Sequence, residues 1–395
     1  MSDHDWQAPG AASEPPRAAD APPPVDGPAA SVPAAPGPAM PGAYFPPPGA
    51  GGWSPPPKPG LLPLRPLGFG TLLWAPFRTL RHNPAATFGS GLVVQLVSVI
   101  ATAAVFVPFL TMTFSRLEDA SAADTDAILS GTVGGFLLLM LVPVAVSVVA
   151  SAFLQGVMVV EVASATLGDK LGFAALWRRA ASRIWPLVGW TLMVGAALLV
   201  AFALVFLVVL LAAAFDVTVL LIGIGLAVVL GLGLIVLGAW IGVKVSLVPS
   251  AIVLERAGIR AAVARSWRLT NGFFWRTFGT LLLVAVILNV AANIVVQPVS
   301  VIGTLLAVVI DPTGTGAALT VTIVTTVVSV ILSLLIGAIT AVVQAALVAV
   351  IYVDLRMRKE GLDLELQRYV ELRDAGRPVA DDPYRVPDGA ATAAT

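Results

Sequence analysis

The sequence predicts an all-α integral membrane protein with about six transmembrane helices, and three observations carry that expectation. Of 395 residues, 57% belong to the hydrophobic set and only 12% are charged, about half the charged share of an ordinary soluble domain. Six apolar stretches, 88–114, 131–163, 187–215, 217–249, 277–310 and 317–353, each exceed the roughly 20 residues needed to cross a bilayer. Basic residues are dense in alternate connections and nearly missing from the others, as membrane topology requires.

Ahead of the first stretch, residues 1–60 hold 18 of the 31 prolines, in runs such as Pro22-Pro23-Pro24 and Pro55-Pro56-Pro57. Such composition favours solvated polyproline II without internal hydrogen bonds, so a disordered tail is expected. It serves either as a docking tail anchored by Tyr44, Phe45 and Trp53 or as a passive spacer. It has no apolar h-region, so the first hydrophobic stretch should insert as an anchor. The six-span membrane domain is expected over 61–367, with a second disordered tail over 368–395.

Several stretches are longer than one crossing, so their ends must tilt or protrude; the fifth, which contains Pro298, has the alternative of kinking there and running partly along the outer interface. The connections after the first, third and fifth stretches contain one basic residue, Arg116. The leader, the other two connections and the C-terminal tail hold 21 of the 23. By the positive-inside rule both termini are cytoplasmic, and the acidic loop with Glu118, Asp119, Asp124 and Asp126 faces outward. A bacterial plasma membrane is the expected location.

Each odd-numbered span is preceded by a similar sequence: Phe77-Arg78, Trp177-Arg178 and Trp267-Arg268, with Gly89, Gly189 and Gly279 each twelve residues beyond the aromatic. Gly68 and Gly258 stand nine residues ahead of their aromatics, whereas Gly172 stands five ahead of Trp177, so copy two lacks one helical turn. The expected unit is a cytoplasmic interfacial amphipathic helix followed by a transmembrane hairpin, repeated three times. In copy two Phe173, Trp177, Ala180 and Ile184 recur on one face, and in copy one Phe69, Leu73, Phe77 and Leu80 do. A truncated fourth copy from Tyr352 onward, with Leu362, Leu366 and Tyr369 on one face, would lie on the inner leaflet.

Two segments carry a family resemblance. Trp267-Arg268-Leu-Thr-Asn-Gly272-Phe-Phe-Trp275-Arg276 and Tyr352-Val-Asp354-Leu-Arg356-Met-Arg358-Lys-Glu-Gly361 look like actinobacterial proteins identified as the membrane domain of glycerophosphoryl diester phosphodiesterases, over roughly residues 60–367. The resemblance implies a polytopic fold and a membrane-lipid neighbourhood. The family's catalytic barrel carries a His-Arg-Gly motif, which this chain does not contain, and the 42 residues after Val353 are far fewer than the ~250 of a barrel. The activity does not carry over.

Intramembrane polar groups are candidate functional residues, because a charge at the bilayer centre costs at least about 2.5 kcal/mol. Glu161 and Lys244 qualify: as interfacial groups near the cytoplasmic ends of their spans, as a structural pair, or as a transport element. Asn289, Asn293 and Gln297 recur every four residues, a stripe that either bonds neighbouring helices, with Gln155 and Gln344 as partners, or lines a polar path. Arg78, Arg178, Arg179, Arg183, Arg265, Arg268 and Arg276 are candidate contacts to anionic lipid headgroups. Glycines of the fourth span, Gly238 and Gly242 among them, are expected to mark close helix contact.

Several chemistries are excluded or unsupported. A net charge of zero argues against nucleic-acid binding, and the lack of cysteine removes thiolate, disulfide and cysteine-ligated metal chemistry. His4 and His82 are the only imidazoles, and no Walker A, His-Glu-x-x-His or Gly-x-Ser-x-Gly motif occurs. No cofactor is expected. The reading is a non-enzymatic protein that organises or assists membrane or lipid-handling components, with anionic lipids and a membrane-protein partner. A transporter or lipid-moving channel with a path near Asn293 is the alternative.

Overall fold

The computed structural model describes residues 60–118, 132, 134–136, 138–310, 316–378 and 382–384. The anchors Tyr44, Phe45 and Trp53 and most of the acidic loop lie outside the described residues. Within them every regular element is helical: α1 (Phe69–His82), α2 (Pro84–Glu118), α3 (Leu141–Thr166), α4 (Phe173–Ala181), α5 (Ile184–Ala213), α6 (Val217–Val245), α7 (Val248–Leu254), α8 (Ile259–Thr270), α9 (Phe274–Ile310), α10 (Ala317–Glu360) and α11 (Leu362–Asp374). Six segments, built on α2, α3, α5, α6, α9 and α10, are long and apolar enough to cross a membrane. The chain is an all-α polytopic membrane protein.

Local chemistry sets the ends of these helices. At the turn between α5 and α6 the Asp216 carboxylate accepts hydrogen bonds from the Thr218 and Val219 amides at 2.8 and 3.0 Å, an N-cap that fixes where α6 starts. Pro249 sits in the first turn of α7, where a missing N–H costs nothing. Helix α10, at 44 residues, is ~66 Å long, twice the ~30 Å of bilayer hydrocarbon. Its last turns therefore stand clear of the lipid at the end where α1, α4, α7 and α8 collect, here called the basic end.

Three features carry the threefold order. First, the glycines capping α1, α4 and α8 have nearly identical extended backbones, with φ, ψ of −68°, 159° at Gly68, −70°, 159° at Gly172 and −71°, 161° at Gly258. Second, the residue just before each repeat aromatic, Pro76, Leu176 or Ser266, is buried. Third, the hairpins follow one another cyclically: α3 packs on α5, α6 on α9, and α10 on α2, while α1 lies on α10, α4 on α3, and α8 on α6 and α7. The buried face lies one residue to the side of the expected stripe, so Phe69 and Phe173 are largely exposed at its edge.

The hydrophobic core sits at the basic end. Leu62, Leu67, Leu187, Leu247, Ile252 and Tyr352 are fully or almost fully buried there, whereas α5 and α6 expose apolar side chains over most of their length. Lipid solvates apolar surface, so the spanning parts need no protein cover. The parts that leave the bilayer do.

Helix α11 continues to Asp374, so the expected boundary at residue 368 falls inside it. Leu362 and Leu366 are buried, and Tyr384 returns to the core at 2% exposure.

Candidate functional site

A cleft of about 1000 Å³ lies between α2, α9 and α10 within their membrane-spanning parts. Gln95, Ser98 and Thr102 line it from α2, Ser300 and Thr304 from α9, and Thr325, Ser329 and Ser333 from α10, among apolar neighbours such as Phe106 and Leu334. Among the described residues no charged side chain lines it. The Ser98, Thr102 and Thr304 hydroxyls donate to backbone carbonyls of Val94, Ser98 and Ser300 at 2.8 to 3.0 Å, which leaves their lone pairs free to accept. The side-chain hydroxyls of Ser300, Thr325, Ser329 and Ser333 make no hydrogen bond among the described residues and remain free to donate. The cleft therefore offers both hydrogen-bond polarities to an uncharged polar group, in surroundings hostile to an ion.

Toward the basic end α2 and α10 close together at two glycines. A Cβ on Gly337 would stand 2.7 Å from Gln95 Nε2, and one on Gly91 would stand 2.8 Å from the Ala338 carbonyl oxygen. Helices α2 and α10 meet at glycine distance below the cleft. Within the cleft wall Gly303 of α9 lies directly against Thr325 of α10.

The amide stripe takes a different place. Asn289, Asn293 and Gln297 are exposed on α9 and are not among the residues lining the α2/α9/α10 cleft; the Asn293 amide donates to the Asn289 carbonyl and side-chain oxygens at 2.9 and 3.0 Å. No hydrogen bond joins the stripe to Gln155 or Gln344 among the described residues. The glycine contact expected in α6 is also not made among the described residues. A Cβ on Gly238 or Gly242 would meet nothing within 4 Å, and only Gly223, against Ala212, is closely packed.

Glu161 and Lys244 form no ion pair with each other among the described residues. Each meets an asparagine at a helix break instead. Lys244 donates to the Asn271 side-chain oxygen at 2.6 Å and stands 5.4 Å from the Trp267 ring. Glu161, fully buried, receives a 3.4 Å hydrogen bond from Asn83, and its second oxygen has no partner among the described residues.

The arginines divide into two groups. Arg78, Arg178, Arg179 and Arg268 are exposed at the basic end, near the exposed rings of Trp74, Trp185 and Trp275, a composition suited to the headgroup layer; Arg183 is half-buried. Arg265 and Arg276 are engaged inside the protein. Arg265 Nε donates to Glu255 at 2.9 Å and its terminal nitrogen to Glu360 at 2.6 Å. Burial alone would lower its pKa, but the hydrogen bond to Glu360 and the charge of Glu255 raise it above the ordinary value. Arg276 donates to the Leu67 carbonyl at 2.6 Å and lies 3.4 Å from Asp354.

These contacts belong to a buried ionic platform at the basic end that sequence reasoning missed. Asp354, 1% exposed, accepts the Leu67 N–H at 2.8 Å and Arg358 at 3.0 Å, and Arg358 also reaches the Leu67 carbonyl at 2.5 Å. Arg356 lies 3.1 Å from Glu360 and 3.8 Å from Glu255, and donates to the Tyr384 carbonyl at 2.8 Å. The Tyr352 hydroxyl donates to Glu255. Burial pushes the Tyr384 phenol above its ordinary pKa, so its hydroxyl remains a donor and bonds the Ala163 carbonyl at 3.0 Å. Charges this buried persist only when paired and hydrogen-bonded. The platform clamps the segment before α1, the α8–α9 junction and the end of α10 together.

His82 stands in the last turn of α1. Burial, and then Lys170, holds its imidazole below the ordinary pKa, and no group of three His, Cys, Asp or Glu side chains capable of holding a metal occurs among the described residues.

Fold and site together define a polytopic membrane protein with an uncharged hydroxyl-lined cleft between three of its spans. Comparison with protein-family models, with curated proteins and with solved structures gives no match.

Proposed function

We propose that this chain is a non-enzymatic protein of a bacterial plasma membrane that holds a neutral amphiphile in the α2/α9/α10 cleft, as part of the membrane's lipid handling. The cleft's lining carries the proposal: hydroxyl donors and acceptors without a charge suit a head bearing hydroxyl or ester oxygens, and a charged headgroup would lose solvation there without a counter-charge. The basic end faces the cytoplasm, where exposed Arg78, Arg178, Arg179 and Arg268 meet anionic headgroups. The suggested kinship with the membrane domain of glycerophosphoryl diester phosphodiesterases agrees with a lipid neighbourhood.

Native mass spectrometry of the purified full chain, titrated with a diacylglycerol and separately with phosphatidylglycerol, tests the proposal. One diacylglycerol is expected to be retained per chain, and the paired changes Ser329→Leu and Ser333→Leu should reduce retention several-fold. Equal retention by wild type and variant would sink the reading.

One observation favours a second reading, transport. From Gln95 in the cleft wall, Gly91 and Thr87 of α2 and Asn83 just before it follow at four-residue spacing toward the basic end, as if the cleft were the outer half of a path whose inner half is shut at Gly91 and Gly337. A vesicle assay separates the two: lipid translocation abolished by Gly91→Leu would favour transport, and translocation no faster than in empty vesicles would favour binding.

A further inference from the structure

Among the described residues no protein lies against the face of α9 that carries the amide stripe. Leu282, Val286, Asn289 and Asn293 recur at 4-3-4 spacing, and all four are exposed. Val284 and Leu288, on the other side of the helix, supply its contacts with the core. Asn289 and Asn293 stand 10 and 14 residues beyond Gly279, about 15 and 21 Å of helical rise, which places them inside a hydrocarbon layer ~30 Å thick that begins near Trp275 and Phe278. Apart from the Asn293-to-Asn289 bonds, the stripe's amide groups, including the whole Gln297 amide, have no hydrogen-bond partner among the described residues. Lipid chains supply none at that depth.

We propose that the protein forms a parallel homodimer through this face of α9. Three considerations select a second copy as the occupant. A carboxamide is donor and acceptor at once, so two identical stripes satisfy each other about a twofold axis, as an isologous interface requires. Every copy inserts with its basic end on the same side, which brings the two stripes to the same depth. Finally, 4-3-4 spacing is the seam of a left-handed pair of like helices, in which a buried asparagine sets register and pairing state. The inference is independent of what the cleft binds.

The chain contains no cysteine, so Val286→Cys gives a single thiol on the proposed seam with every amide intact. Oxidation of native membranes containing full-length Val286→Cys should give a covalent dimer of twice the monomer mass. Val295→Cys, equally exposed but on another face, should stay monomeric. Adding Asn289→Leu and Asn293→Leu to Val286→Cys should weaken dimerisation roughly three- to thirty-fold, the range measured for interhelical polar bonds in membranes. A monomeric Val286→Cys, equal cross-linking at 286 and 295, a product of another mass, or a yield insensitive to the two leucines would each overturn the proposal.

Discussion

Asp354 shows what a single residue contributes here. Its carboxylate, 1% exposed, holds the Leu67 amide and Arg358, so Asp354→Ala leaves the partly buried Arg358 and Arg276 guanidinium groups without their counter-charge. The expected loss is about 3–5 kcal/mol, read as a lowered melting temperature in detergent; an unchanged melting temperature would show that the platform does not hold the fold. Tyr384→Phe removes one buried hydrogen bond to Ala163 and should cost about 0.5–1.5 kcal/mol by the same measurement. Among the arginines the two groups should separate: Arg178→Gln with Arg179→Gln should lower co-purifying anionic lipid, at up to about 1 kcal/mol per charge, while Arg265→Gln should lower stability instead. The helical pairs Asp354–Arg358 and Arg356–Glu360 are legible as i, i+4 spacings. Their burial is not, because it comes from Leu67, 287 residues away from Asp354, and from Tyr384, within a tail expected to be disordered.

At the scale of elements, glycines separate true contacts from open surface. Gly91→Leu would force α2 off α10 where a Cβ already stands 2.6 Å from Val342 Cγ2, and should cost about 1–3 kcal/mol by overpacking. Gly238→Ala in α6 meets nothing and should change stability by no more than the ~1 kcal/mol gain in helix propensity. Both effects are measurable as shifts in thermal unfolding, and the opposite ranking would mean that α6, rather than α2, is the closely packed helix. The six spans and the amide stripe could be read directly, since hydropathy and four-residue spacing are local properties. The cleft could not: its serines and threonines are spread over three helices from residue 98 to residue 333, and each alone is an ordinary residue of an apolar span.

For the whole molecule, three interfacial helices and three hairpins follow one cyclic order, visible in advance as the Gly and aromatic-Arg spacing. Trp185 and Trp275, each four residues before the repeat glycine, were a further signal of the same repeat. Sidedness rests on charge alone, so Ala264→Cys at the basic end should resist an impermeant thiol reagent outside intact cells, and Ala214→Cys at the α5–α6 turn should react; both positions are exposed. The reverse pattern would invert the topology. The central claim, that the cleft holds a neutral amphiphile, is tested most directly by photo-cross-linking a light-activated diacylglycerol to the full chain in native membranes and mapping the adducts. Adducts should fall on the cleft-lining segments 98–107, 300–308 and 322–334, and competition with unlabelled diacylglycerol should remove them. Adducts spread evenly over all six spans, or unaffected by the competitor, would contradict it.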